Sequence, residues 1–204
     1  VTLNDGTLNV RKGPGTDYDS IGSLTNGTKV KILDKVNDWD VIEFYSSSLV
    51  VATPKETLYY LDPNNFKNDP IQVFQFLDLT KPSMAPAEVL NKVLLNKGTL
   101  SGQGQAFIEA SKTYGINDVY LIAHAFLETN KGTSELAKGV VYNGKKVYNM
   151  YGIGAFDNDP IKSGAKFAYD HGWTDPAKAI IGGAEFIGND YIKAGQKTLY
   201  KMRW

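Results

Sequence analysis

The hydrophobic spacing changes period once along the chain, and that switch sets what it can fold into. Up to residue 44 the apolar side chains alternate, in Thr7-Leu8-Asn9-Val10-Arg11, Ser20-Ile21-Gly22-Ser23-Leu24, Thr28 to Leu33 and Trp39 to Phe44. Lys12-Gly13-Pro14-Gly15 and Asn26-Gly27 punctuate them, the second as a hairpin-type turn. Short alternating runs at such spacing predict a small β-barrel or sandwich. Four strands of this length make a poor core by themselves.

From Pro86 the period is helical. Pro86 suits a first helical position, and Val89, Leu90, Val93 and Leu94 line one face before Gly98 ends the helix. A second amphipathic helix runs from Gln105 to Tyr114, with Ala106, Phe107 and Ala110 on one side and Gly115 as terminator. Asn117 and Asp118 cap a third, over 119–128, where eight of ten side chains are apolar. A helix apolar nearly all round is expected to run through the core. Asp159-Pro160 and Asp175-Pro176 each read as a cap followed by a proline in the first turn. The pattern breaks at Ser46-Ser47-Ser48 and Thr53-Pro54, which places a seam near residue 50. The expected fold class is α+β: a small β domain over 1–50 and a mainly helical domain over 51–204, long enough to bury its own core.

Several function classes drop out. Twenty-two basic side chains balance twenty-two acidic ones, so the concentrated basic face of a nucleic-acid binder is not expected. There is no cysteine for a disulfide or a zinc–thiolate site, and no apolar run long enough to span a membrane. Gly152-Ile153-Gly154 lacks the third glycine of a dinucleotide loop, and Gly144-Lys145-Lys146 lacks the rest of a P-loop. With two histidines and no HExxH, neither a triad nor a metal site is expected, and no cofactor is implied.

Glu128 is the residue with chemistry in it. It closes Val119-Tyr120-Leu121-Ile122-Ala123-His124-Ala125-Phe126-Leu127, at the end of a helix expected to be buried. Lost hydration and the negative end of the helix dipole would both raise its pKa, which suits a general acid. The alternative is a carboxylate that caps the helix or pairs with Lys131. His124 sits four residues earlier on the same face, where hydrogen bonding to orient the helix end is its expected role. Rings beside amides and acids, in Tyr148-Asn149-Met150-Tyr151 and Phe156-Asp157-Asn158-Asp159, fit a saccharide cleft.

The same residues carry a family likeness. From about Tyr59 to Trp204 the chain resembles the glucosaminidase domain of Gram-positive autolysins, glycoside hydrolase family 73. The matching blocks include Tyr60-Leu61-Asp62-Pro63-Asn64-Asn65-Phe66, Gly102-Gln103-Gly104-Gln105-Ala106-Phe107-Ile108, His124-Ala125-Phe126-Leu127-Glu128-Thr129 and Gly132-Thr133-Ser134-Glu135-Leu136. Tyr148-Asn149-Met150-Tyr151-Gly152-Ile153 and Gly183-Ala184-Glu185-Phe186-Ile187-Gly188 continue the series. Leu8-Asn9-Val10-Arg11, Gly13-Pro14-Gly15, Gly27-Thr28-Lys29-Val30 and Trp39 resemble a bacterial SH3-type wall-binding domain.

The resemblance implies a lysozyme-like helical domain that cleaves the GlcNAc-β-1,4-MurNAc bond of peptidoglycan. Glu128 would be the catalytic acid and Tyr191 a second catalytic-site residue. Asn149 and Tyr151 would contact substrate, with Tyr148, Phe156 and Asp157 beside them. The implied partner is the glycan strand, the implied state a monomer, and the implied location the exterior or wall of a Gram-positive cell. The second catalytic group is open among Asp157, Asp159, Glu135 and the substrate's own acetamide. A muramidase, a lytic transglycosylase or a catalytically silent wall-binding protein are the rival readings. Two departures stand out: Asn130-Lys131 occupies a place where the family shows Gly-Asn, and family members continue beyond Trp204 with another tyrosine. The closing strands of the SH3 pattern are also not evident beyond Phe44.

Overall fold

The computed structural model describes residues 1–4, 6–45, 51–156 and 158–204, in two compact units, Val1–Leu58 and Tyr59–Trp204. The first unit holds two antiparallel hairpins, β1 (Thr7–Arg11) with β2 (Ser20–Thr25) and β3 (Ile32–Val36) with β4 (Trp39–Ile42). In the first hairpin Leu8 faces Leu24 and Val10 faces Gly22, with a bulge between Val10 and Arg11. Gly22 leaves room for the Phe44 ring, which lies where a Cβ would stand.

Two expectations for this unit are corrected. The strand placed over 28–33 begins at Ile32, and Asn26-Gly27 does not join paired strands. The turn itself is closed by Thr28 N donating to Thr25 O at 3.2 Å, while Gly27 N donates to Val1 O at 3.0 Å and the Val1 ammonium to Thr28 O at 2.8 Å. The second hairpin turns at Asn37, whose φ of 55° is left-handed. Among the described residues the sheets are two separate open hairpins, and closure into the small barrel expected is not shown. Among the described residues of this unit only Val10 and Leu24 are buried hydrophobics, in keeping with the poor core expected of four short strands.

Helix α1 (Pro54–Leu61) spans the division between the units, and 3-10 turns at Pro63–Asn65 and Gln72–Phe76 follow. Then come α2 (Ala87–Val93), a 3-10 turn Gly98–Leu100, α3 (Gly104–Tyr114), α4 (Asp118–Glu128) and α5 (Glu135–Lys138). A short hairpin of β5 (Val140–Tyr142) and β6 (Lys145–Val147) precedes α6 (Pro160–Asp170), α7 (Pro176–Ile187), a π-helical turn Gly188–Ile192 and α8 (Leu199–Arg203). The caps read from sequence are present: Asn117, Asp159 and Asp175 each accept from the backbone N–H three residues on. Gly115 ends α3 in the left-handed conformation that L side chains avoid.

The core of this unit gathers Leu94, Leu100, Phe107, Ala110, Ile116, Leu121, Ala125, Met150, Ile180 and Ala184, all fully buried. On α2 only Leu90 and the following Leu94 enter it, while Val89 and Val93 face solvent. The long central contact is α3 on α7, both of which present small side chains to it (Ala106 and Ala110; Ala179, Gly183 and Ala184). Helix α4 therefore lies against the core and does not run through it. Leu121, Ile122 and Ala125 are buried, but Val119 is 46% exposed and Leu127 82%. Among the described residues no helix is long and apolar enough to cross a membrane.

The start of α4 is fastened to the strand of chain before α2. The Asn117 side chain accepts from Tyr120 N at 2.9 Å and donates to Lys81 O at 2.7 Å, while its backbone N–H donates to Leu79 O at 2.7 Å. Next to it, the buried Asp118 carboxylate accepts from Ser83 N and Ser83 Oγ, both at 2.8 Å. Asn117→Ala removes a cap and strands the Lys81 carbonyl. It should lower stability by about 1–3 kcal/mol in urea titration; an unchanged midpoint would show that Asp118 alone holds the helix start.

Candidate active site

Glu128 occupies the last position of α4. The chain leaves the helix through Thr129, which is 1% exposed. Its hydroxyl donates back to Ala125 O and accepts from Gly132 N at 2.7 Å. Its carbonyl accepts from both Thr133 N and Ser134 N at 2.9 Å. Ser134 in turn caps α5. Glu128 is thus presented by a helix end whose polar groups are satisfied locally, leaving the carboxylate unclaimed by the backbone.

The expected burial of that carboxylate is corrected. The Glu128 side chain is 44% exposed, because the helix end stands at the surface of the core, with Leu127 beside it in solvent. Nor is it paired with Lys131. Its titratable neighbour is His124, whose Nε2 lies 3.7 Å from Oε1, too long for a hydrogen bond. The other oxygen, Oε2, faces Gly152: a Cβ there would approach it to 3.3 Å. Gly152 also has a φ of +66°, a backbone conformation that favours glycine.

Behind the acid runs a line of rings. Tyr120, His124 and Glu128 share one face of α4 at four-residue spacing. The Tyr120 ring lies 5.7 Å from the imidazole, and its hydroxyl contacts Met202 Sδ at 3.8 Å. Tyr151 meets His124 edge-on at 5.5 Å. Tyr151 is 4% exposed and lies over Gly183 of α7, where any side chain would occupy the ring's place. Burial pushes the Tyr151 phenol far above its ordinary range, with Tyr120 adding to it. Burial likewise raises Tyr120, and Tyr191 contributes through its charge. Desolvation lowers the His124 pKa below its ordinary value, against the opposing pull of Glu128.

The structure sorts the remaining sequence candidates. Tyr191, 47% exposed on the π-helical turn, is close enough to Tyr120 to act on it electrostatically. Asn149 is not a free contact group. It is 1% exposed, its amide donates to Ile153 O at 2.8 Å and Gly164 O at 3.3 Å, and its Oδ1 accepts from Tyr151 N. It staples the loop that carries Tyr151 and Gly152. Tyr151 is likewise buried and cannot offer a sugar an open ring face. The contacts of Tyr148 run to Trp173, Gly139 and Lys146, away from Glu128. Phe156 is 68% exposed, and Asp157 lies outside the described residues. Asp159 is engaged as the α6 cap, and Glu135 is an exposed acid in the first turn of α5. Sequence reasoning missed Tyr120, though its spacing from His124 and Glu128 would have found it. Among the described residues no group of three His, Asp or Glu could hold a metal ion.

Comparison with known proteins gives the site a context. Residues 104–203 match the glucosaminidase family, described as mannosyl-glycoprotein endo-beta-N-acetylglucosaminidase, and residues 6–47 match the bacterial SH3 domain family. The β-N-acetylglucosaminidase of Bacillus subtilis strain 168 is 48% identical over 208 residues, covering 100% of this chain and 23% of that protein. A major bifunctional autolysin of solved structure is 45% identical with a TM-score of 0.67, over 83% of this chain and 68% of that one. A catalytic glutamate-to-alanine mutant of Staphylococcus aureus autolysin E, in complex with the disaccharide NAG-NAM, is 39% identical with a TM-score of 0.61, over 76% of this chain and 67% of that one. The chain spans less than a quarter of the length of the curated relatives it matches.

The lowered pKa of His124 predicts a pH effect of fixed sign. As pH falls through about 6.5, the unfolded chain takes up the proton before the folded one, so stability is lost. Urea midpoints at pH 7.5 and 5.5 should fall further apart in the wild type than in His124→Phe. The lowered carboxylates Asp69, Asp78 and Asp175 act in a more acidic window and leave that comparison intact. Equal slopes in the two proteins would contradict it.

Proposed function

The chain belongs to the glucosaminidase family, and from that premise we propose that it is a peptidoglycan hydrolase, an endo-β-N-acetylglucosaminidase acting on the GlcNAc-β-1,4-MurNAc bond with Glu128 as general acid. One observation carries the reading. Glu128 projects from a rigidly held helix end, reachable from solvent, between His124 and the Gly152 loop. The catalytic mutant of the solved relative in complex with NAG-NAM, in which a glutamate is replaced, supports a glutamate as the catalytic residue type and the substrate class.

Glu128 protonates the glycosidic oxygen as positive charge develops on the anomeric carbon. A bound glycan lying over the half-exposed carboxyl excludes water from it. Substrate thereby supplies the dry surroundings that the sequence had assigned to burial. The 2-acetamido group of GlcNAc is the proposed internal nucleophile, since Asp159 is already engaged as a cap. Tyr191, exposed and within electrostatic reach of the ring line, is assigned to orient that group. Residues 51–204 form the proposed catalytic, lysozyme-like domain and residues 1–50 a wall-binding SH3-like domain. Action outside a Gram-positive cell, as a monomer on glycan strands, completes the proposal.

Glu128→Gln should fold normally and lose about 10²–10⁴-fold in muropeptide release from purified walls. Wild-type lysis by that variant would end the assignment. Borohydride reduction of wild-type products should reveal GlcNAc reducing ends; reduced muramic acid or anhydro-muramic ends would instead mean a muramidase or a transglycosylase. Tyr191→Phe should remain folded with slowed turnover, and unchanged turnover would remove Tyr191 from the site.

A further inference from the structure

Two polar atoms behind the acid face no protein partner. His124 Nδ1 and the Tyr151 hydroxyl are both buried, and among the described residues neither makes a hydrogen bond. They belong to rings that touch, with centroids 5.5 Å apart at 70°. Tyr151 has little room to turn away, since Gly183 admits its ring from one side and the Asn149 staple fixes its backbone. Orphaned buried polar groups are rare and costly, and two chemically complementary ones in adjoining rings call for one explanation.

We propose that Tyr151 is a positioning residue: its hydroxyl donates to one buried water, which donates to His124 Nδ1, and so fixes the tautomer in which Nε2–H faces Glu128 Oε1. The inference rests on Glu128 being the acid, and it deepens that reading by deciding which oxygen carries the proton. A neutral imidazole has one donor and one acceptor nitrogen. If Nδ1 accepts, Nε2 must donate. Among the described residues the titratable groups facing the imidazole are Glu128 and Tyr120 from α4 and Tyr151 from the loop, with Tyr191 behind Tyr120.

An Nε2–H dipole facing Oε1 from 3.7 Å favours that oxygen as the unprotonated one. The transferable proton then resides on Oε2, the oxygen beside Gly152. In the reaction the Oε2–H bond breaks, the proton passes to the glycosidic oxygen, and the carbon–oxygen bond to the departing sugar cleaves with its electron pair on that oxygen. Glu128 is left as a carboxylate whose charge the nearby Nε2–H dipole favours. With the opposite tautomer, Nε2 would present a lone pair to Glu128 and could draw the acid's proton toward itself. Tyr151 thus acts through His124 without touching substrate.

The test uses the full 204-residue chain labelled with ¹⁵N in histidine. At pH 8 the long-range ¹⁵N–¹H spectrum of wild type should show His124 as the Nε2–H tautomer, and Tyr151→Phe should convert a substantial fraction to Nδ1–H. On wall substrate Tyr151→Phe should lower kcat about tenfold at unchanged KM, the size of effect expected from losing one hydrogen bond to an active-site group. The same change made in a His124→Phe background should cost nothing further. An Nδ1–H tautomer in the wild type, or no change of tautomer and kcat in Tyr151→Phe, overturns the proposal. The wild-type spectrum decides even if the variants fold poorly. A turnover-competent Glu128→Gln would fail the acid assignment alone, since the tautomer is read without activity.

Discussion

The candidate site depends on α4 being held at both ends. At its start Asn117 and Asp118 tie the helix to Leu79, Lys81 and Ser83; at its end Thr129 closes the last turn onto the loop that leads into α5. An eleven-residue helix is about 16 Å long, so a tilt of about 5° would move its tip by more than 1 Å. A general acid works only within hydrogen-bond reach of the oxygen it protonates. The buried polar fastenings at 79–83 therefore have a consequence at Glu128, although they lie at the far end of the helix. Hydrophobic contact alone, through Leu121, Ile122 and Ala125, would locate the helix without fixing its tilt.

Exposure is graded along the functional face of the same helix. His124 has a side chain 26% exposed, and Glu128 reaches 44% one turn later. The gradient separates two tasks: ring packing at the buried end gives the line its rigidity, and solvent access at the tip admits a substrate. Two glycines make the arrangement possible from outside the helix. Gly183 lets α7 approach the Tyr151 ring, and Gly152 lets the loop pass the carboxylate. Neither lies on α4, so the shape of the site is written partly in residues that contribute no chemistry.

Much of this was legible in the sequence, and the failures have physical causes. Local rules performed well: Asn117, Asp159, Asp175 and Gly115 sit at the helix ends that their backbone chemistry predicts. Glu128 at the end of α4 followed from the same logic, as did its proximity to His124. What composition could not give was which side of an apolar helix meets the core. Val119, Ala123 and Leu127 look no different in sequence from Leu121 and Ala125, yet they face water. The burial argued for Glu128 failed for that reason. An amide beside tyrosines suits a sugar or a backbone staple equally, and only the folded loop reveals Ile153 and Gly164 as partners of Asn149. The turn at Asn26-Gly27 forms, with Thr28 N donating to Thr25 O at 3.2 Å, but the strand beyond it does not pair with β2, and Gly27 and Thr28 bond to Val1, a contact with no local trace.

The loop after the acid shows a departure from family pattern meeting a backbone constraint. Asn130, Lys131 and Gly132 have φ values of 47°, 59° and 80°, three consecutive residues in the left-handed region. Asparagine and glycine accept that conformation readily, whereas a lysine is held there at a cost of about 1–2 kcal/mol. The Gly-Asn of the resembling family at 130–131 would adopt it without that cost. Here the conformation is imposed from both sides. Thr129 binds Gly132, Thr133 and Ser134, and Thr99 N donates to Gly132 O at 3.1 Å across a close approach that leaves no space for a Cβ on Gly98 or Gly132. The loop is therefore set by its buried anchors and not by the residues at its tip. Sequence can drift at Asn130-Lys131, at some expense in stability, without moving the carboxylate one residue before Thr129.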